Sequence, residues 1–205
     1  MSEKVKQLML EEMRRVYNNH FRIVEFHSRK RGKYGAQLTS GEVSEENIGV
    51  YLSTNLLGNK IKNMKDDYVF CVRKRDIIAY VEELVRPYME EEYKVLFAPL
   101  SMHDVGTYDY AMPIENILQE LDAWDAFLVT TQGGITREAM EQLVAELNKR
   151  NFKFGVEISA KVNKEVYSIV NHEYFDKHEP SEIGKQYCDI QYDNGKYEIV
   201  QLLGE

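Results

Sequence analysis

Apolar and polar residues alternate along this chain at two spacings, one typical of helices and one typical of strands. Apolar residues at helical spacing predict an amphipathic helix over residues 3–18. Apolar runs then begin at Phe21 and return over residues 36–39, on either side of a basic stretch that contains two glycines. This arrangement predicts a hairpin, and residues 48–53 are predicted to form a further strand.

The middle of the chain alternates short apolar runs with helical stripes. The run at 68–72 predicts a buried strand, Asp76 is a suitable N-cap for the helix that follows, and residues 93–100 predict the next strand. The same order of elements recurs over residues 124–160. The predicted fold class is therefore α/β with a mixed sheet, containing β-α-β units around 68–100 and 124–160 and antiparallel hairpins near both chain ends.

Two segments near the C-terminal side carry the clearest local signals. Thr136 precedes a regular apolar stripe and is a good N-cap, whereas Asn151 follows the stripe and can take the left-handed conformation that ends a helix. The pair Asn194-Gly195 separates two apolar runs, and this dipeptide is typical of a two-residue hairpin turn. These signals predict a helix and a C-terminal hairpin from local residues alone.

Composition places the chain among ordinary globular proteins. Apolar residues make up 43% and charged residues 29% of the 205 residues, and the 4 prolines mark no linker. We therefore predict one α/β domain over residues 1–205, with the helix and hairpin of residues 1–55 as a subdomain. Two cysteines are too few for a disulfide scaffold, and no apolar run reaches eighteen residues. The expected protein is cytoplasmic, with no membrane partner, no metal and no cofactor.

Charge is distributed unevenly between the two halves of the chain. The whole sequence has 34 Asp and Glu against 26 Lys and Arg, a net charge of −8. Residues 1–100 contain 17 basic and 15 acidic residues, whereas residues 101–205 contain 9 and 19. The acidic balance thus argues against nucleic-acid binding only for the second half of the chain.

The first candidate site is the glycine-containing connection that leads into the helix after Thr136. A strand followed by Gln132, Gly133 and Gly134 at a helix N-terminus can present backbone N–H groups to a phosphate or carboxylate. The segment lacks the spacing of a phosphate-binding loop and its lysine. The alternative interpretation is a tight connection in which Thr136 itself satisfies the N-terminal amides.

The second candidate site is the long connection at residues 101–112. His103 with Asp104 or Asp109 has the composition of a general base and its orienting carboxylate, and Tyr108 can line a pocket. Adjacent residues usually point apart, so the alternative is a covering loop whose tyrosines pack on the sheet. If strands 93–100 and 125–131 are parallel neighbours, both candidate loops leave the carboxyl edge of the sheet, where α/β folds bind ligands.

The third candidate site is the basic hairpin near the N-terminus. Aromatic residues are interleaved there with a cluster of cations that can contact phosphates, namely Arg22, Arg29, Lys30, Arg31 and Lys33. The alternative interpretation is a solvated, highly charged turn.

Three functions follow from these features. The sequence has no nucleophile elbow, phosphate-binding loop, dinucleotide fingerprint or metal motif, so we expect a non-enzymatic binding or regulatory protein. Its 14 tyrosines and uneven charge favour a protein partner bound through a polarised surface. The alternatives are a small-molecule enzyme or ligand sensor with an anion site at the strand carboxyl ends, and a nucleic-acid-binding protein that uses the 22–35 hairpin.

Overall fold

The chain folds into helices and two sheets. The computed structural model describes residues 2–30, 32–89, 92–99, 102–120, 124–131, 136–152, 154–160, 162–171, 174, 178, 185–193 and 196–202. In chain order the elements are α1 (Ser2–Tyr17), β1 (Phe21–Lys30), β2 (Lys33–Ser40), β3 (Val43–Thr54), β4 (Ile61–Asp66), α2 (Tyr68–Val85), β5 (Tyr93–Pro99), β6 (His103–Asp104), α3 (Ile114–Glu120), β7 (Trp124–Thr130), α4 (Arg137–Arg150), β8 (Gly155–Ala160), α5 (Lys164–Ile169), β9 (Lys185–Asp193) and β10 (Lys196–Leu202). These elements pack as two compact units, one of residues 1–74 with 101–112 and the other of residues 75–100 with 113–205.

The first unit is an antiparallel sheet that packs against a helix. Its strand order is β1-β2-β3-β4-β6, and each neighbouring pair is antiparallel. The apolar stripe of α1 is buried, and the ring of Tyr17 at its end lies 6.4 Å from that of Phe21 and 4.7 Å from that of Tyr68. The inner face of the sheet and α1 therefore form the core of this unit, and the hairpin predicted near the N-terminus is confirmed.

Helix α2 corrects one sequence prediction. Residues 68–72, predicted to form a strand, are the first turns of this helix. The carboxylate of Asp66 accepts a hydrogen bond from the Tyr68 N–H at 2.8 Å, and the Asp67 carbonyl accepts one from the Cys71 N–H at 3.0 Å. The helix thus begins well before the predicted cap at Asp76, and the β-α-β unit predicted around 68–100 lacks its first strand.

The second unit contains the mixed sheet. Its strand order is β10-β9-β8-β7-β5, in which β7 and β8 are parallel and connected through α4, as predicted for residues 124–160. Strands β9 and β10 form the predicted C-terminal hairpin. The buried stripe of α4 consists of Met140, Leu143 and Leu147. The α/β fold class with a mixed sheet and hairpins near both chain ends is confirmed.

The direction of one strand pair in this sheet differs from the prediction. Strands β5 and β7 are antiparallel neighbours, with Tyr93 opposite Thr130 and Pro99 opposite Trp124. The carboxyl end of β5 therefore lies at the opposite edge of the sheet from the carboxyl end of β7. The expectation that the loops after these two strands share one edge is wrong.

Two further expectations concern domains and membranes. The interpretation of residues 1–205 as one domain, with residues 1–55 as a subdomain, remains a prediction. Within the described parts of the chain, no helix has the length and apolar character needed to cross a membrane.

Candidate functional site

The face of the first sheet that points away from α1, here called the open face, carries polar side chains side by side. His27, Gly35, Tyr51 and Lys65 are opposite one another across β1, β2, β3 and β4. Residues directly opposite in antiparallel strands point to the same face. The register therefore places an imidazole, a phenol ring and an ammonium group in one row, with a glycine between them.

This row lies in a groove of about 540 Å³. The groove is lined by residues from four strands and from the segment before β6, namely His27, Arg29, Gly35, Ala36, Gln37, Gly49, Val50, Tyr51, Lys65 and Met102. All of them belong to the first unit. The groove is thus a property of this unit alone.

Two glycines form the floor of the groove. An ideal Cβ built on Gly49 would lie 2.5 Å from the Met102 Cε and 3.0 Å from the Asp67 Oδ2, so a larger residue would displace these groups. An ideal Cβ on Gly35 would lie 3.5 Å from the Nε of Arg29. The absence of side chains lets the guanidinium of Arg29 lie close to the backbone at Gly35, and lets Met102 and the Asp67 carboxylate lie close to it at Gly49.

The charged residues that line the groove are the cations Arg29 and Lys65, whereas the Asp67 carboxylate lies beside Gly49 and Asp104 lies opposite Lys65 in the strand register. Arg29 and Lys65 are exposed, and no described carboxylate lies within 4 Å of their charged groups. His27 lies 3.1 Å from the Glu25 carboxylate through its Nε2. The first unit as a whole contains 14 Lys and Arg against 11 Asp and Glu, whereas the second contains 12 against 23. An anion is therefore attracted to this unit and repelled from the other.

Two carboxyl groups, buried Asp66 and half-buried Asp67, lie at the junction of β4 and α2. Asp66 accepts hydrogen bonds from the Tyr17 hydroxyl at 2.9 and 3.1 Å, and Asp67 accepts one from the Gly49 N–H at 2.8 Å. Burial raises the pKa of Asp66 and that of Asp67 to about 6 each. Both groups are held by internal donors, so they fix the β4–α2 junction and the Gly49 backbone at the groove floor.

The predicted loop site at residues 101–112 has a different arrangement in the structure. His103 and Asp104 form β6, which extends the sheet beside β4, and successive strand residues point to opposite faces. The His103 ring packs 4.8 Å from the ring of Tyr108, which is buried, whereas Asp104 accepts a hydrogen bond from the Asn63 amide at 3.0 Å. The imidazole and this carboxylate are not brought together.

Asp109, the other predicted partner of His103, has a local role. Its Oδ1 accepts a hydrogen bond from the Ala111 N–H at 2.8 Å, which closes a turn. The histidine, the two aspartates and the tyrosine proposed as a catalytic loop therefore do not form a base with its orienting carboxylate in this geometry.

The predicted glycine-loop site lies mostly outside the described residues. Gln132, Gly133 and Gly134 are not among them. Thr136 is the N-cap of α4, and its hydroxyl accepts a hydrogen bond from the Ala139 N–H at 3.2 Å. The threonine thus has the capping role that the alternative interpretation gave it.

The basic hairpin contributes directly to the groove. The side chains of Arg22, Arg29, Lys30 and Lys33 are exposed on β1 and β2, and Arg31 lies outside the described residues. Sequence reasoning missed His27, Tyr51 and Lys65, because their neighbourhood depends on strand register. Gly35 and Gly49, each within a strand, were the sequence signal that could have indicated a close approach of other groups to this face.

Metal binding has no geometric support in the described part of the chain. No group of three or more His, Cys, Asp and Glu side chains there is arranged to hold an ion. The carboxyl groups of Asp66 and Asp67 are each committed to protein donors instead.

Fold and site together define an α/β protein that presents a basic, glycine-floored groove on an antiparallel sheet. No family model matches the chain, and no curated protein is similar to it in sequence. A solved structure of a DUF5037 family protein from Ruminococcus gnavus ATCC 29149 is similar at 14% identity and a TM-score of 0.47, over 96% of this chain and 94% of that chain.

Proposed function

We propose that this chain is a non-enzymatic binding protein that holds single-stranded nucleic acid on the open face. The observation that carries the proposal is the groove in which Arg29 and Lys65 flank a backbone floor made by Gly35 and Gly49. This proposal combines the leading expectation of a binding protein with the alternative that placed nucleic acid at the basic hairpin.

The arrangement suits a phosphate backbone. Arginine and lysine on one face neutralise phosphates along a strand, and further cations of the hairpin, Lys30 and Lys33, extend the positive surface beyond the groove.

Tyr51 supplies a surface for a base. Its half-buried ring lies in the same row as Lys65 and His27, so a base stacked on the phenol ring places its phosphate near a cation. Stacking on aromatic side chains is typical of proteins that bind single strands on a sheet. Duplex DNA keeps its bases paired and cannot use this contact.

The test measures binding of fluorescein-labelled oligo-dT and oligo-U, each about 20 nucleotides long, by fluorescence anisotropy. Between about 50 and 200 mM salt, affinity should fall steeply, and Arg29→Gln or Lys65→Gln should each make the logarithmic slope about 0.7 shallower. Tyr51→Ala should weaken binding about tenfold at every salt concentration. Arg14→Gln is the matched control, since this arginine is exposed on α1 and lies outside the groove.

The result that contradicts the proposal is absence of oligonucleotide binding at low salt, or binding that the three groove variants leave unchanged. A second candidate, a small anionic ligand, is favoured by the volume of about 540 Å³, which lies within the range of small-molecule sites. Competition separates the two: a mononucleotide that binds as tightly as the oligonucleotide assigns the groove to a small ligand.

A further inference from the structure

Two adjacent leucines project from the turn between β3 and β4. Leu56 is 66% exposed and Leu57 is 72% exposed, and they are among the most exposed large apolar side chains described. We call this pair the leucine tip. Exposure of two neighbouring leucines to water is unfavourable, so a partner surface that buries them lowers the free energy through the hydrophobic effect.

The turn that carries the leucine tip is held in a defined shape. The Asn55 N–H donates to the Lys60 carbonyl at 3.0 Å, and the Asn55 side-chain oxygen accepts from the Asn59 N–H at 3.0 Å. The Gly58 N–H donates to the Asn55 carbonyl at 2.9 Å, and Gly58 has the positive φ of 64° that the turn requires. The exposure of the leucines is therefore built into the fold of this turn.

Four lysines lie near the leucine tip, two in the chain after it and two on the neighbouring turn. Lys60 and Lys62 follow it directly, and both are exposed. The turn between β1 and β2 lies beside it, because the Thr54 N–H donates to the Gly32 carbonyl at 2.8 Å, and that turn carries Lys30 and Lys33. The described part of the chain places no carboxylate within 4 Å of these four ammonium groups.

We propose that the leucine tip docks onto an anionic phospholipid surface. A projecting turn with two apolar side chains and four nearby lysines suits a lipid interface, in which leucines enter the acyl boundary while lysines reach the headgroups. Each lysine near an anionic membrane strengthens binding about fivefold. The sequence-based expectation of no membrane partner rested on the lack of a long apolar run. That criterion detects membrane-spanning segments and does not detect two exposed leucines in a turn.

The test is co-sedimentation with vesicles of phosphatidylcholine alone and of phosphatidylcholine with about one-third phosphatidylserine. The wild type should bind the anionic vesicles only, and binding should fall as salt rises. The double variant Leu56→Ser/Leu57→Ser should lose about tenfold or more in partitioning. Lys60→Gln/Lys62→Gln should lose about 25-fold, which is fivefold for each charge.

Ile169→Ser is the matched control, since Ile169 is 57% exposed but belongs to the acidic second unit. It should leave partitioning unchanged. Absence of binding to anionic vesicles, or equal binding by the wild type and the leucine variant, overturns the proposal. Concentration-dependent dimerisation that needs the leucines and occurs without vesicles would instead assign the tip to a second copy of this chain. Oligonucleotide binding by the leucine variant should stay at the wild-type level, so this proposal and the groove proposal fail independently.

Discussion

Asp66 is the buried carboxyl group whose removal tests the electrostatics of the first unit most directly. Asp66 is 4% exposed, and its carboxylate accepts hydrogen bonds from the Tyr17 hydroxyl and from the Tyr68 N–H. Burial raises its pKa from 3.8 to about 6, although these two donors oppose the shift. The charged form is thus less favourable in the folded protein than in the unfolded chain.

The sign of the pH dependence follows from this shift. A carboxyl group with a raised pKa binds its proton more tightly in the folded state, so its stabilising contribution is complete below pH about 4 and is lost as the pH rises through about 6. A difference of about 2 pKa units corresponds to about 3 kcal/mol of unfolding free energy. Asp66→Asn keeps the shape of the side chain and carries no charge at any pH. Its unfolding free energy should match the wild type near pH 4 and exceed it by about 3 kcal/mol near pH 7.5.

Urea unfolding followed by far-UV circular dichroism at several pH values between about 4 and 7.5 measures this difference. The matched control is Asp104→Asn, because Asp104 is exposed and accepts a side-chain hydrogen bond from Asn63. The control should differ from the wild type by a constant amount across the range. A stability difference between Asp66→Asn and the wild type that does not change with pH would refute the reasoning, as would a variant that is less stable only at neutral pH.

Three further predictions concern backbone and cap positions. Gly49→Ala should lower the unfolding free energy by about 1–3 kcal/mol, because the new Cβ would lie 2.5 Å from the Met102 Cε. Adding Met102→Ala to this variant should restore part of the loss, and the absence of such a rescue in urea titrations would contradict the contact. Thr136→Ala should cost about 1 kcal/mol whereas Thr136→Ser should cost little, and equal losses of Tm in both would exclude the cap as the cause. Asn151 has a positive φ of 56°, so Asn151→Gly should be neutral or stabilising, whereas Asn151→Ala should be destabilising by about 1 kcal/mol. A higher Tm for the alanine variant than for the glycine variant would contradict the role of the left-handed conformation.

Elements with strong local signals were predictable from the sequence. Helix α4 begins after Thr136 and ends at Asn151 in the left-handed conformation, as the cap residues predicted. The hairpins near both chain ends are also as predicted, because turn residues and alternation fix them without distant contacts. Local sequence signals were sufficient to predict those elements whose interacting residues are close together in the sequence.

Strand β4 and the start of α2 were not predictable in this way. In β4 the buried positions hold Met64 and Asp66, so an aspartate occupies a core position and hides the alternation. The apolar run after Asp67 resembles a strand, because a short buried run has the same composition in a strand and in a helix. Only the tertiary environment decides, and here the hydrogen bond from the Tyr68 N–H to Asp66 starts the helix.

The candidate groove could not be predicted from local sequence signals, because its residues come together only through the pairing of the strands. Arg29 was predicted as a site residue from its charge, but its neighbours Tyr51 and Lys65 join it only through the register of four strands. The shared edge expected for the loops after β5 and β7 depended on parallel pairing of these strands, and they pair antiparallel. Pairing direction is set by the whole sheet, so composition and spacing do not reveal it.

The net charge of −8 acquires a different meaning once it is divided by unit. The first unit has 14 basic and 11 acidic residues, a formal charge of +3. The second unit has 12 basic and 23 acidic residues, a formal charge of −11, and repels polyanions. This difference in charge favours the first unit for the anionic ligands of both proposals, the nucleic-acid strand on the open face and the lipid surface at the leucine tip. Because this attraction is electrostatic, both proposals require binding that weakens with salt, and salt-independent binding would count against the two together.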